Sequence, residues 1–287
     1  MKANKKDNKS SRKSTSPLIS GTAADFNHIQ HVFAVMSGKG GVGKSFVTGL
    51  LATALARKGY QVGLLDADIT GPCIPMLFGL NSQVEQGILG LLPLQSSTGI
   101  KVMSMNLLLS QKDQPVIWRG PMISKAITQL WGDVMWGNLD YLFIDLPPGT
   151  SDAALTIMQS LPLDGIIMVT TPQSLSSLIV RKAVHMAQHI KVPIIGIIEN
   201  MSYYICPDTK KRYEIFGESH VNEIAKTAKA PLLATLPIDP KFSILCNQGE
   251  IEKIQLKEID KIVQKLAKKP SNQLGENSSS MNLDDNW

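Results

Sequence analysis

With 287 residues, 43% of them hydrophobic, the chain can bury a large core, and one α/β domain is expected rather than two small ones. The net charge of +5 is not spread evenly: residues 1–16 carry six Lys or Arg against one Asp, residues 268–287 are net negative, and the nearly neutral body between them argues against a general nucleic-acid binder. Three scattered cysteines, Cys73, Cys206 and Cys246, exclude a disulfide framework and fit a reducing cytosol, so a cytoplasmic location is expected.

Residues 1–25 read as a disordered basic tail, because MKANKKDNKSSRKSTS has almost no apolar side chain to offset the entropy of ordering. The stretch lacks the apolar core of a secretory signal and the Arg-rich amphipathic face of a transit peptide. No apolar run reaches about 18 residues, so no membrane-spanning helix is expected.

The body, 26–268, alternates apolar runs with helical patterns. The first strand, HVFAVM at 31–36, runs into GKGGVGKS at 38–45, a P-loop placed between a strand and a helix predicted over 44–57. Glycines permit a tight loop whose N–H groups point at phosphate oxygens, and the helix start adds partial positive charge. ATP contacts are therefore expected from Gly38, Lys39, Gly40, Gly41, Val42, Gly43, Lys44, Ser45 and the following Phe46, with Lys44 on the β- and γ-phosphates and Ser45 on Mg²⁺.

A second strand, QVGLLD at 61–66, ends in Asp66 and Asp68, whose two-residue spacing points both side chains the same way on an extended backbone. Asp66 is assigned to the Mg²⁺ shell and Asp68 to positioning the attacking water, although a strand-end aspartate can instead cap the next helix. Cys73 reads as a small residue before that helix. IKVMSM at 100–105 is the next strand, a helix is predicted over 123–134, and DYLFID at 140–145 places Asp145 at a strand end as the Walker B carboxylate for Mg²⁺. Gly149, beyond two prolines, is expected to contact the γ-phosphate through its N–H.

A helix over 153–160, a strand at 164–170 and a helix over 175–190 follow; His185 and His189 lie i, i+4 on the last and read as surface or packing residues rather than metal ligands. The strand VPIIGIIEN, 192–200, leads to YYICPDTKKR, where Cys206 sits in a polar turn. A helix over 218–228, a strand PLLATLPI at 231–238, Cys246 near that strand's end, an amphipathic helix over 256–268 and a disordered tail, 269–287, complete the chain. Continuous apolar strands with crossover helices predict a mostly parallel sheet covered on both faces, with its ligand at the carboxyl ends of the strands.

The form KGGxGK[ST], with Lys39 opening the loop, resembles the deviant Walker A class that includes MinD and ParA. DADITGPCIPMLFGL, IWRGPMISKAITQL, DYLFIDLPPGTSD and GIIENMSYYICPDTKKRYEIFG together resemble blocks of one branch of it, the Mrp/ApbC family of P-loop ATPases, along residues 28–268. The resemblance implies a single-domain, MinD-like P-loop fold. The activity implied is a slow Mg²⁺-dependent ATPase that carries an iron–sulfur cluster at a homodimer interface and passes it to apo iron–sulfur proteins. It also implies that Lys39 reaches nucleotide in the partner subunit, that Asn200 hydrogen-bonds adenine, and that the loop from Pro237 to Asp239 flanks the base.

The family's Cys-Pro-x-Cys supplies two thiolates per subunit, whereas here Cys206 fills the first position and Thr209 the second. A [4Fe–4S] cluster normally takes four cysteines. Three readings stay open: Cys206 pairs with Cys246, Cys206 works with exogenous thiols, or no cluster binds. The rival function is a MinD/ParA-like positioning ATPase acting on a membrane through the C-terminal helix, or on the nucleoid, without a cluster. Docking of that helix on the sheet is the favoured reading, so no membrane partner and no specific nucleic acid are expected.

Overall fold

The computed structural model describes residues 22–68, 71–104, 107, 120–173 and 175–267, and for 120–124 and 175–180 the backbone alone. Residues 1–21 of the expected tail at 1–25, the whole expected tail at 269–287, and residues 117–119 of the IWRGPM segment lie outside the described residues. The folded body begins ahead of the expected boundary at 26: Ala23–Phe26 form one 3₁₀ turn, with Ala23 only 1% exposed.

A single sheet of nine strands organises the chain. Its order is β10 (Arg212–Tyr213), β9 (Ile194–Ile205), β8 (Gly165–Thr170), β1 (His28–Ser37), β7 (Asn138–Asp145), β2 (Val62–Asp66), β6 (Lys101–Ser104) and β5 (Leu94–Gln95), with β11 (Leu232–Ile238) also paired to β9. The six pairings among β1, β2, β6, β7, β8, β9 and β11 are parallel, and the β5–β6 and β9–β10 pairings are antiparallel. A separate two-stranded hairpin joins β3 (Glu85–Gln86) to β4 (Leu91–Leu92).

The strands are continuously apolar because both faces are covered. Along β1, Val32, Ala34 and Met36 pack into one layer and Phe33 and Val35 into the other, as strand geometry requires. The first layer contains α3 (Gly120–Asp133), α4 (Asp152–Ser160), α5 (Leu175–His189) and α6 (Val221–Ala228). The second contains α1 (Lys44–Ala56), α2 (Ile74–Leu77), α7 (Pro240–Asn247) and α8 (Lys257–Leu266).

Two expectations need correcting. The strand expected to stop at Asn200 continues as β9 to Ile205 and pairs back with β10, so Cys206 is at the tip of a hairpin. Cys246, expected near a strand end, lies in the last turn of α7, a helix that sequence periodicity did not suggest because Pro240 and the polar residues around it resemble a loop. Its N-cap supplies the missed signal: the Asp239 carboxylate accepts the Lys241 N–H at 2.9 Å, with Pro240 at the first helical position.

The C-terminal amphipathic helix docks. Ile259, Ile262 and Val263 of α8 are buried in the α1 layer, and the Tyr141 hydroxyl donates to the Leu266 carbonyl at 2.9 Å. Among the described residues no helix is long and apolar enough to cross a membrane. His185 and His189 are exposed on α5.

Candidate nucleotide and thiol sites

The carboxyl ends of β1, β2 and β7 meet at one place because Val35 and Asp66 both pair in register with Asp145. The P-loop leaves β1 there and turns through Gly41 and Gly43, both with positive φ (77° and 79°), into α1. Beneath the loop the buried Lys44 ammonium lies 2.7 Å from Asp145 Oδ2. Ser45 donates to the same oxygen, while Thr48, unnoticed in the sequence, donates to Asp145 Oδ1 at 2.9 Å. Asp145 thus faces one cation and two hydroxyls, an oxygen-rich corner whose chemistry suits Mg²⁺.

Asp66 is buried next to Asp145. It accepts the N–H groups of Asp68 (3.1 Å) and Ile74 (3.2 Å), so it caps the start of α2, the alternative left open by its position. Burial first, and then the Asp145 charge, push its pKa well above 3.8. A carboxyl with a folded-state pKa raised above its unfolded value contributes stability that is present at low pH and lost as pH rises through the folded value. The stability of Asp66→Asn relative to the parent is therefore expected to improve steadily as pH rises above 3.8; urea denaturation at stepped pH checks this, and a pH-independent difference would refute it.

Above these groups opens a cavity of about 300 Å³, lined by the loop from Gly40 to Phe46, Ser37, Asp68, Cys73 and Pro148. Asp68 is among its lining residues. Cys73 lines it beside Ser45, its thiol pushed up by burial. Gly38 is buried at the loop's start, and Lys39, with its amine donating to Gln173 Oε1, is half-buried at the same end. The Gly149 N–H is already committed, donating to the Ser37 carbonyl at 2.9 Å; contact with a γ-phosphate requires that bond to break.

A second cavity of about 360 Å³ shares Gly43, Phe46 and Leu77 with the first. Its walls are apolar except at a few points. Asn200, Pro237 and Asp239 all line it, together with Met201, Phe216 and Phe242, which sequence reasoning missed, and Cys246. A bulge explains the convergence: β9 spends four steps from Glu199 to Tyr203 while β11 spends two from Thr235 to Pro237, so Asn200 and Met201 are displaced toward the P-loop. Asn200 Nδ2 donates to the Val42 carbonyl at 3.0 Å, which leaves its carbonyl oxygen free as an acceptor.

Gly43 is required twice over at this junction, by its positive φ and because a Cβ there would overlap the Asn200 amide nitrogen. Gly43→Ala is expected to cost about 2–4 kcal/mol, combining left-handed strain with a displaced buried amide. Thermal denaturation and ADP titration measure the two consequences, and unchanged ADP affinity would contradict this reading of the junction.

At the far end of the β9–β10 hairpin, Cys206 is partly exposed. The Thr209 hydroxyl and the N–H groups of Thr209 and Asp208 point at its sulfur and hold the thiol below its usual pKa. Cys246 has the opposite environment: on α7 it is half-buried against the apolar cavity, and burial raises its pKa. Cys206 does not line that cavity, so the structure places the two thiols in different surroundings. Among the described residues no three or more His, Cys, Asp or Glu side chains cluster to hold a metal ion.

Comparison with known proteins places these features in context. The family model ParA, described as NUBPL iron-transfer P-loop NTPase, matches residues 28–270. The iron-sulfur cluster carrier protein of Aquifex aeolicus is 46% identical over 225 residues, covering 77% of this chain and 61% of that protein, so the chain spans less than two thirds of that relative's length. The carrier protein of Methanocaldococcus jannaschii is 49% identical over 227 residues, 78% of each chain. Among solved structures, a nucleotide-binding protein of Archaeoglobus fulgidus in complex with ADP, in which cobalt was found, superposes with a TM-score of 0.73 at 43% identity over 81% of this chain and 91% of that one. MinD in the Aquifex aeolicus MinC:MinD complex gives 0.61 at 22% identity over 83% and 97%, a likeness of fold alone.

Proposed function

Because the chain belongs to the NUBPL iron-transfer family of P-loop NTPases, we propose that it is a Mg²⁺-dependent ATPase that carries an iron–sulfur cluster and delivers it to apo-proteins. The observation that carries the reading is a cavity lined by Lys44 and Ser45, with Asp145 paired to Lys44, adjoining an apolar cavity that holds Asn200 and whose Met201 and Phe216 flank the Cys206 hairpin.

In the hydrolytic step this chain's groups act by position and charge. Gly40 to Gly43 present backbone N–H groups to the phosphates, and Lys44 turns its ammonium from Asp145 toward the β- and γ-oxygens. Ser45 and Asp145 would hold Mg²⁺, with Asp66 next to them, and the metal would neutralise charge on the phosphate oxygens. Asp68 orients the attacking water. The apolar cavity takes the base, with the Asn200 oxygen accepting from the adenine amino group and Pro237 and Asp239 beside the ring. Lys39 contributes to the phosphates bound by a second copy once it leaves Gln173. Turnover is slow, as suits a switch.

The cluster is cargo, and Cys206 is its ligand. Thr209 replaces a second thiolate with a hydroxyl, so two protomers related by a twofold axis supply two thiolates, and the remaining positions fall to thiols from solution. Cys246, in the base cavity, is excluded from the ligand set. Such a cluster is held loosely, which favours its transfer to an apo-protein with a full set of cysteines. The reading fits a chain working in the reducing cytoplasm.

Anaerobic reconstitution with iron, sulfide and excess thiol, followed by visible absorbance and iron analysis, tests the carrier reading. Stoichiometric iron that moves to an apo-ferredoxin is the expected result. No iron in the wild-type protein would reject it in favour of a cluster-free ATPase.

A further inference from the structure

The two arms of the Cys206 hairpin both begin at the apolar cavity. Met201 on β9 and Phe216 beyond β10 line it. Cys206 lies between them in the chain, five residues after one and ten before the other. We propose that Phe216 is a base-contacting positioning residue that couples nucleotide occupancy to the placement of the Cys206 turn, an inference that rests on reading the apolar cavity as the base site.

The mechanical link is a continuous set of bonds. Across the hairpin, Tyr213 pairs with Tyr204 and Arg212 with Ile205, the Cys206 N–H donates to the Lys211 carbonyl at 3.0 Å, and the Arg212 guanidinium lies 4.0 Å from the centroid of the Tyr203 ring. The turn carrying Phe216 is closed by the Gly217 N–H donating to the Glu214 carbonyl at 3.0 Å. Its far end is tied to β9 through Glu199, 1% exposed, whose carboxylate accepts from Ser202 at 2.6 Å and Ser219 at 2.7 Å. A buried carboxylate thus ties both ends of the segment from 199 to 219 to one point on β9.

Phe216 is the part of this segment with apolar area still to bury. Phe216 is 38% exposed although it borders the cavity, and its neighbour Ile215 is 56% exposed without bordering it. A purine in the cavity offers the ring an offset-stacking partner. Met201, a non-glycine residue at φ 54°, gives the other arm a backbone conformation that persists only while its surroundings hold it. A base that contacts both residues changes those surroundings. A ligand shifts an equilibrium only by its differential contacts with the two states, and the stacked ring is that difference.

The test follows alkylation of Cys206 by iodoacetamide in the full-length protein, read by peptide mass spectrometry, with and without saturating MgADP. It needs no cluster, so it is independent of iron loading. Cys246 lines the cavity directly, and its protection reports occupancy. MgADP is expected to slow Cys206 alkylation about fivefold in wild type, in Phe216→Tyr and in Ile215→Ala, and to leave the rate unchanged in Phe216→Ala at concentrations that still protect Cys246. Protection of Cys246 with no change at Cys206 in wild type would overturn the coupling alone, as would full protection of Cys206 in Phe216→Ala. Protection of neither thiol in wild type, with no ADP binding by calorimetry, would overturn the base-site reading and the coupling with it.

Discussion

Lys44→Ala is expected to lower the rate of ATP hydrolysis by about a hundredfold to a thousandfold, the cost of deleting one preorganised donor from a transition state that spreads charge over phosphoryl oxygens. The variant loses more than a phosphate contact. Lys44 and Asp145 form a buried ion pair at 2.7 Å, and removing one partner of such a pair costs about 3–5 kcal/mol when the other stays charged. Here the penalty is softened because Ser45 and Thr48 still donate to Asp145. Catalysis should therefore fall far more than the folded fraction. Phosphate release measured alongside thermal denaturation separates the two, and hydrolysis at the parental rate by a folded Lys44→Ala would remove the ATPase assignment.

Iron loading should vanish in Cys206→Ser and survive in Cys246→Ser. The two thiols differ in what their surroundings favour: donors from Thr209 and Asp208 stabilise a thiolate at Cys206, while the apolar wall around Cys246 favours the neutral thiol, and metal ligation requires the thiolate. Because one thiolate per protomer leaves half of a four-thiolate set unfilled, wild-type protein should lose its cluster when low-molecular-weight thiol is removed by desalting. Thr209→Cys, which restores a second thiol three residues on, should retain it. Visible absorbance and iron content after desalting read all four proteins. Equal loss of iron in Cys206→Ser and Cys246→Ser would instead restore the paired ligand set.

The glycine loop and the strand-end carboxylates were legible in the sequence because each is written in consecutive residues. GKGGVGKS is one loop, and Asp66 and Asp145 announce themselves as carboxylates ending apolar strands. The apolar cavity was legible only in part. Asn200, Pro237 and Asp239 followed from resemblance, but Phe216, Phe242 and Met201 carry no signal of their own: each is an ordinary apolar residue, and only the β9 bulge and the α7 helix give them a shared cavity. Thr48 was missed for a similar reason, since a threonine one turn into a helix reads as packing until Asp145 is seen beneath it.

What the sequence by itself determined is the architecture and the chemistry of its strongest motif. Buried parallel strands leave a pattern of uninterrupted apolar residues, and a phosphate-binding loop needs glycines and a lysine at fixed spacing, so both are written in consecutive residues. Through the family resemblance it also put Thr209 at the position of that family's second cysteine. Tertiary structure alone decided which cysteine faces what. Cys206 and Cys246 are forty residues apart and equally bare as letters. Their difference arises because β9 runs on past Asn200 to carry one to an exposed hairpin tip, while α7 sets the other in the wall of the apolar cavity that Phe46 also lines. Reactivity of a thiol depends on the donors and dielectric around it, and those come from residues distant in the chain.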